Sequence, residues 1–208
     1  MNIIDPNLNE YLYDVTPVRD AVLADMEKYA RKNNFPIIGP LVGRMLYAYA
    51  KAINAQRILE LGSGYGYSAC WFAKAIGKEG KVICTEGDPE NAKRAAEYFK
   101  RAKIAGKIDF RVGNALEIAD QLEGELDIIL IDIDKQFYPQ AFRKAVPRLR
   151  KGGLMIADNV LWSGKVLDKK PDASTAGILT FTRLIYSSKS LFTIIVPLRD
   201  GVSVSIKL

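Results

Sequence analysis

Apolar positions follow two regimes along this chain. Through the first fifty residues they recur near every third or fourth position: Val18, Ala21, Val22, Met26 and Tyr29, with Asp25 the polar exception. That period predicts a helix. Thr16-Pro17 reads as its N-cap and first-turn proline, and the pattern carries it to about Lys32. Asn33-Asn34-Phe35-Pro36 breaks it. Pro40 opens a second helix through Leu41, Met45, Leu46 and Tyr49, ending near Asn54.

From Arg57 short apolar runs alternate with helical stretches. Strands are predicted over 57–61, 81–86, 108–112, 126–132 and 153–158, and helices over 67–76, 89–105, 115–121 and 138–149. The run Ile128-Ile129-Leu130-Ile131 has no polar member, as a strand covered on both faces requires. Repeated β-α-β units predict a parallel sheet with helices on both sides. The end differs. A helix over 173–187 precedes two strands, 191–196 and 202–207, joined through Pro197 and Asp200-Gly201, a hairpin signal. The expectation is one α/β domain: a Rossmann-like, doubly wound, mostly parallel seven-stranded sheet with an antiparallel C-terminal hairpin. Residues 1–54 form a helical cap and residues 55–208 the core.

Composition narrows the function classes. The 208 residues suit one domain with a full core. No apolar run approaches the roughly 20 residues of a membrane span. Met1-Asn2-Ile3-Ile4-Asp5-Pro6 lacks a basic segment followed by an apolar one, so no secretory leader is expected and a cytoplasmic protein is. Cys70 and Cys84 sit inside apolar elements and read as reduced core residues. The chain has no histidine, which removes the commonest general base and zinc ligand. The net charge of +6 is spread over helices and loops, which reads as solvated faces rather than a nucleic-acid surface.

Two strand ends carry candidate chemistry. Gly62-Ser63-Gly64-Tyr65-Gly66 follows the first strand, where open parallel sheets bind ligands. Its spacing is G-x-G-x-G, not the dinucleotide G-x-G-x-x-G, which argues against a nicotinamide cofactor. Glu60 before the turn would repel a pyrophosphate but attract a cationic amino group. Glu86, closing the second strand before Gly87-Asp88, is the candidate for ribose hydroxyls. The turn therefore reads as a nucleoside site.

The second constellation ends the fourth and fifth strands. Ile131-Asp132-Ile133-Asp134-Lys135 and Ala157-Asp158-Asn159 bring Asp132, Asp158 and Asn159 to one sheet edge if those strands are neighbours. Two carboxylates and an amide suit a hard cation such as Mg²⁺. A lysine beside a bound cation is disfavoured in its charged form and can serve as a base, which makes Lys135 the candidate.

The motifs ILELGSGYGYS (58–68), IDIDKQFY (131–138) and ADNVLWSGKV (157–166) together resemble the cation-dependent class I O-methyltransferases, the group of catechol and caffeoyl-CoA O-methyltransferases. The resemblance runs from about Ile37 to Lys165, with weaker similarity to the C-terminus. It implies S-adenosylmethionine as cofactor, held by Ile38, Glu60, Gly62, Ser63, Gly64, Tyr67, Ser68, Glu86, Gly87, Asp88, Ala115 and Asp132. It implies a divalent cation, Mg²⁺ first, on Asp132, Asp158 and Asn159, with Lys135 as catalytic base. It further implies in-line methyl transfer to an aromatic small molecule whose two vicinal hydroxyls the metal chelates, and a homodimer. The mammalian catechol enzymes have a Glu before the C-terminal Asp-Gly; Leu191-Phe192-Thr193-Ile194-Ile195 holds no acid, and Arg199 stands where relatives often have a small residue. The rival on the same cofactor is a methyltransferase of RNA or another macromolecule. It would call for a basic stripe interleaved with aromatics, which the sequence does not show.

Overall fold

The computed structural model describes residues 3–208; Met1 and Asn2, which begin the stretch read for a leader, lie outside them. Three helices come first: α1 (Pro6–Asp14), α2 (Ala21–Asn33) and α3 (Gly39–Ala52). The alternating region then runs β1 (Arg57–Leu61), α4 (Tyr67–Ala75), β2 (Lys81–Glu86), α5 (Pro89–Arg101), β3 (Ile108–Val112), α6 (Ala115–Asp120), β4 (Leu126–Ile131), α7 (Tyr138–Arg148) and β5 (Leu149–Ala157). Helix α8 (Ala173–Ser187), β6 (Leu191–Val196) and β7 (Val202–Lys207) complete it.

The seven strands form one sheet in the order β3-β2-β1-β4-β5-β7-β6. The first five are parallel; β7 pairs antiparallel with both β5 and β6. Strand order reverses between β1 and β4, which opens a crevice at their carboxyl ends. The register Leu61↔Ile131 and Ile131↔Ala157 brings the ends of β1, β4 and β5 level. Apolar residues fill both faces of the sheet, so the expected two-sided covering holds. Cys70 and Cys84 are buried free thiols in this core.

The N-terminal third differs from the pattern reading. The predicted helix start at Thr16-Pro17 is wrong. The Thr16 hydroxyl donates to the Leu12 carbonyl at 2.6 Å and so closes the end of α1. Asp20 is the real N-cap of α2, its carboxylate accepting from the amides of Val22 and Leu23 at 3.1 Å. Helix α1 lies outside the expected elements: Leu8, Tyr11 and Leu12 stand at helical spacing, but none of its residues is buried, so this short stripe covers no core. The polar exception Asp25 is explained by Arg101, whose Nη1 lies 2.7 Å from its Oδ2. Smaller corrections follow from turns. Helix α5 stops at Arg101, short of residue 105, and β5 begins at Leu149, before the Gly152-Gly153 pair that hid its start. Among the described residues no helix is long and apolar enough to cross a membrane.

Candidate active site

The strand ends are tied to one another before any side chain acts. The Asp132 amide donates to the Leu61 carbonyl at 2.9 Å, and the Asp158 amide to Ile131 at 3.2 Å. On the other side the Ser63 amide donates to the Thr85 carbonyl at 2.9 Å. These bonds carry the sheet ladder one residue past β4 and β5 and two past β1. They fix the glycine turn, Asp132 and Asp158 as neighbours along one edge.

The turn needs its glycines. Gly62 and Gly66 both have φ +85°, a region that side chains with a Cβ rarely adopt. A Cβ on Gly62 would stand 2.3 Å from the Asp132 carbonyl oxygen, and one on Gly66 2.3 Å from the Phe99 ring. The Gly64 amide donates to Glu86 Oε2 at 2.9 Å, so the acid at the end of β2 holds the middle of the turn. Its other oxygen accepts from the Asp88 amide at 2.9 Å.

A cavity of about 900 Å³ opens at this edge. Of the sequence candidates, Ile38, Gly62, Ser63, Gly64, Tyr67, Ser68, Glu86, Gly87, Ala115, Asp132, Lys135, Asp158 and Asn159 all line it. Glu60 and Asp88 do not. Glu60 is wholly buried beneath the turn, its Oε2 accepting from the Ser63 hydroxyl at 2.8 Å and its Oε1 without a partner. Burial pushes its carboxyl up to about 7, against the opposing pull of the Ser63 hydrogen bond. Asp88 caps α5, accepting from the Glu90 amide at 2.8 Å.

The oxygen cluster lies across the cavity from Glu86. Asp158 is 1% exposed, and its Oδ1 has no hydrogen-bond partner. Burial raises its carboxyl, with the Asp132 charge adding to the rise and Arg199 opposing it. Asn159 donates from Nδ2 to Asp200 Oδ2 at 3.3 Å, which leaves its amide oxygen free of that contact. Lys135 Nζ stands 2.9 Å from Asp132 Oδ1 and 3.2 Å from the Ile133 carbonyl, with 11% of its side chain exposed. Its position is fixed from behind. The Tyr138 hydroxyl donates to the Asp158 carbonyl at 2.9 Å, and α8 presses Gly177 onto the Lys135 backbone, where a Cβ would meet its carbonyl at 2.3 Å.

Several cavity residues were not found in the sequence. Asn114 caps α6 after β3, as Asp88 caps α5 after β2, and the polar ending of that strand was a usable signal. Phe35 and Pro36, which read only as part of the helix break, form one wall together with Ile37. Trp162, by contrast, is legible in the sequence as an aromatic bordering the acceptor, and it does line the cavity, with Lys135 Nζ 5.8 Å from its ring.

The donor set fits a hard cation. It offers carboxylate oxygens from two adjacent strand ends and the amide oxygen of Asn159, whose Nδ2 donates to Asp200. The unpartnered Asp158 Oδ1 is the buried polar atom such an ion would satisfy. Among the described residues no three Asp, Glu, Cys or His side chains form a cage, so the set depends on Asn159.

Comparison with known proteins is consistent with this geometry. Residues 16–208 match the family described as O-methyltransferase. The chain is 36% identical over 174 residues to a catechol O-methyltransferase of Niastella koreensis, covering 81% of this chain and 79% of that one. It is 31% identical over 174 residues to caffeoyl-CoA O-methyltransferase 1 of Eucalyptus globulus, covering 77% and 70%. An O-methyltransferase from Bacillus cereus, solved in complex with SAH, superposes with a TM-score of 0.89 at 28% identity over 97% of both chains.

Proposed function

The chain belongs to the O-methyltransferase family, and on that premise we propose that it transfers the methyl group of S-adenosylmethionine to one hydroxyl of a vicinal-dihydroxy aromatic small molecule, with a divalent cation held by Asp132, Asp158 and Asn159. The carrying observation is the adjacency of the glycine turn and the oxygen cluster, joined through the Asp132–Leu61 and Asp158–Ile131 backbone bonds. SAH, the demethylated form of that cofactor, is bound by the Bacillus cereus relative, and the catechol and caffeoyl names of two relatives suggest the acceptor class.

Each half of the cavity has its own work. Gly62, Gly64 and Ser68 offer close backbone and a hydroxyl to the methionine end, Glu86 accepts from the ribose, and Gly113–Leu116 wall the base. Glu60 acts from beneath, where its carboxylate becomes worth ionising once an ammonium group sits over the turn. Lys135 takes the proton of the reacting hydroxyl at Nζ, and Asp132 holds it in position. A bound divalent cation would supply the Lewis acidity that favours ionisation of a hydroxyl near neutral pH. Much of the remaining acceleration comes from holding donor and acceptor in line.

The test is a panel of acceptors with radiolabelled S-adenosylmethionine. Vicinal diols should accept methyl while matched monohydroxy compounds should not. Equal labelling of both sets would reject the vicinal-dihydroxy acceptor.

A further inference from the structure

We propose that Arg199 selects acceptors carrying a carboxylate beside the dihydroxy ring, so that the substrates are acidic vicinal-dihydroxy aromatics; this rests on the acceptor reading above. Arg199 sits in the turn between β6 and β7 with φ +56°, a conformation that L residues seldom adopt. The turn aims it at the cavity. Its Nη2 lies 3.4 Å from Asp158 Oδ2, its Nη1 donates to the Ile37 carbonyl, and its buried Nε has no acceptor. The side chain keeps 29% of its surface exposed.

Two features make this guanidinium a reading group and not only a structural pin. It lies on the boundary between the cavity already described and a second one, of about 1090 Å³, which Arg19, Arg31 and Tyr13 also line. An acceptor substituent pointing away from the cofactor meets Arg199 at that boundary. Its nearby acids are also committed elsewhere. Asp200 accepts from the Ser163 amide and the Asn159 side chain. Glu27, facing the second cavity, is held by both Arg19 and the Tyr67 hydroxyl. Asp158 is therefore the counter-charge Arg199 has, and Asp158 is the carboxylate the cation needs. With that charge shared, the half-buried guanidinium is left without full compensation, and a planar carboxylate matches its fork of donors. A neutral catechol leaves it with only its shared claim on Asp158.

The test measures binding, independently of turnover. Calorimetric titration with 3,4-dihydroxybenzoate and with its neutral amide is run in the presence of SAH and saturating Mg²⁺. The wild type should bind the acid about tenfold or more tightly than the amide. Arg199→Gln should bring that ratio close to one, and Arg199→Lys should restore part of it. Equal affinities in the wild type, or an unchanged ratio in Arg199→Gln, would overturn the proposal. The wild-type comparison decides the matter even if the variant fails to fold. If neither compound binds while SAH does, the dihydroxy-acceptor reading fails and this one falls with it; if both bind equally, only the Arg199 proposal fails.

Discussion

The Asp132 carbonyl oxygen lies where a Cβ on Gly62 would have to go, 2.3 Å from that position. One close approach thus joins the cofactor turn to the carboxylate of the oxygen cluster. Gly62→Ala therefore does two kinds of harm. It strains a φ of +85°, and it pushes β4's end from β1's. Overpacking of this kind costs about 1–3 kcal/mol, with about 1 more for the backbone. Gly87 has nothing within 4 Å of its virtual Cβ, so Gly87→Ala should change stability by less than about 0.5 kcal/mol. Urea melts of both variants check the contrast; equal midpoints would contradict it.

Glu60 predicts a pH dependence with a definite sign. Its folded carboxyl is raised to about 7 from an ordinary 4.5, so the folded state holds the proton more tightly than the unfolded one. Below about 4.5 burial carries no charge penalty. As pH rises from there to about 7 the unliganded protein should lose stability relative to Glu60→Gln, by roughly 3 kcal/mol at most. Chemical denaturation of both proteins at pH 5 and pH 8 measures the divergence. Glu60→Gln should also weaken S-adenosylmethionine binding, so the gain in stability comes at the expense of function. Curves that stay parallel across that range would contradict the burial account.

Lys135 should act on turnover and not on the cofactor. Lys135→Ala is expected to lower kcat by about 10²-fold or more, the usual contribution of a positioned base, with the cofactor Kd within about twofold. Single-turnover rates and equilibrium binding separate the two. An unchanged kcat would remove Lys135 from the chemistry.

The start of α2 offers a stability test away from the site. Asp20→Ala removes two amide contacts and should cost about 1 kcal/mol; Thr16→Ala, which removes one bond at the end of α1, should cost less. Thermal melts order the two, and the reverse order would restore Thr16 as the helix start.

What the sequence disclosed follows from where the physics is local. The alternating strands were legible because the middles of β1, β2 and β4 are buried on both faces and are largely apolar, with Glu60 and Thr85 the buried polar exceptions. The hairpin was legible through Pro197 and Asp200-Gly201. The neighbouring of Asp132 and Asp158 followed from strand ends once β4 and β5 were adjacent. Helix α1 was not legible, because three apolar positions at helical spacing, Leu8, Tyr11 and Leu12, are a weak signal among Asn7, Asn9, Glu10 and Asp14. Glu60 could be seen as a strand-end acid, but its burial beneath the turn depends on Ser63 folding back over it. The Arg199–Asp158 contact spans residues brought together only by the antiparallel β7, which pairs Ser203 with Ala157. Pattern along the chain says nothing about such a pairing.

The central claim joins methyl transfer to a cation on Asp132, Asp158 and Asn159, and its most direct measurement is labelled methyl transfer to 3,4-dihydroxybenzoate before and after metal removal. Turnover should stop in excess chelator and return on adding Mg²⁺, while Asp158→Ala stays inactive in both conditions and still binds S-adenosylmethionine. Full turnover in chelator, or an Asp158→Ala enzyme as fast as the wild type, would contradict it.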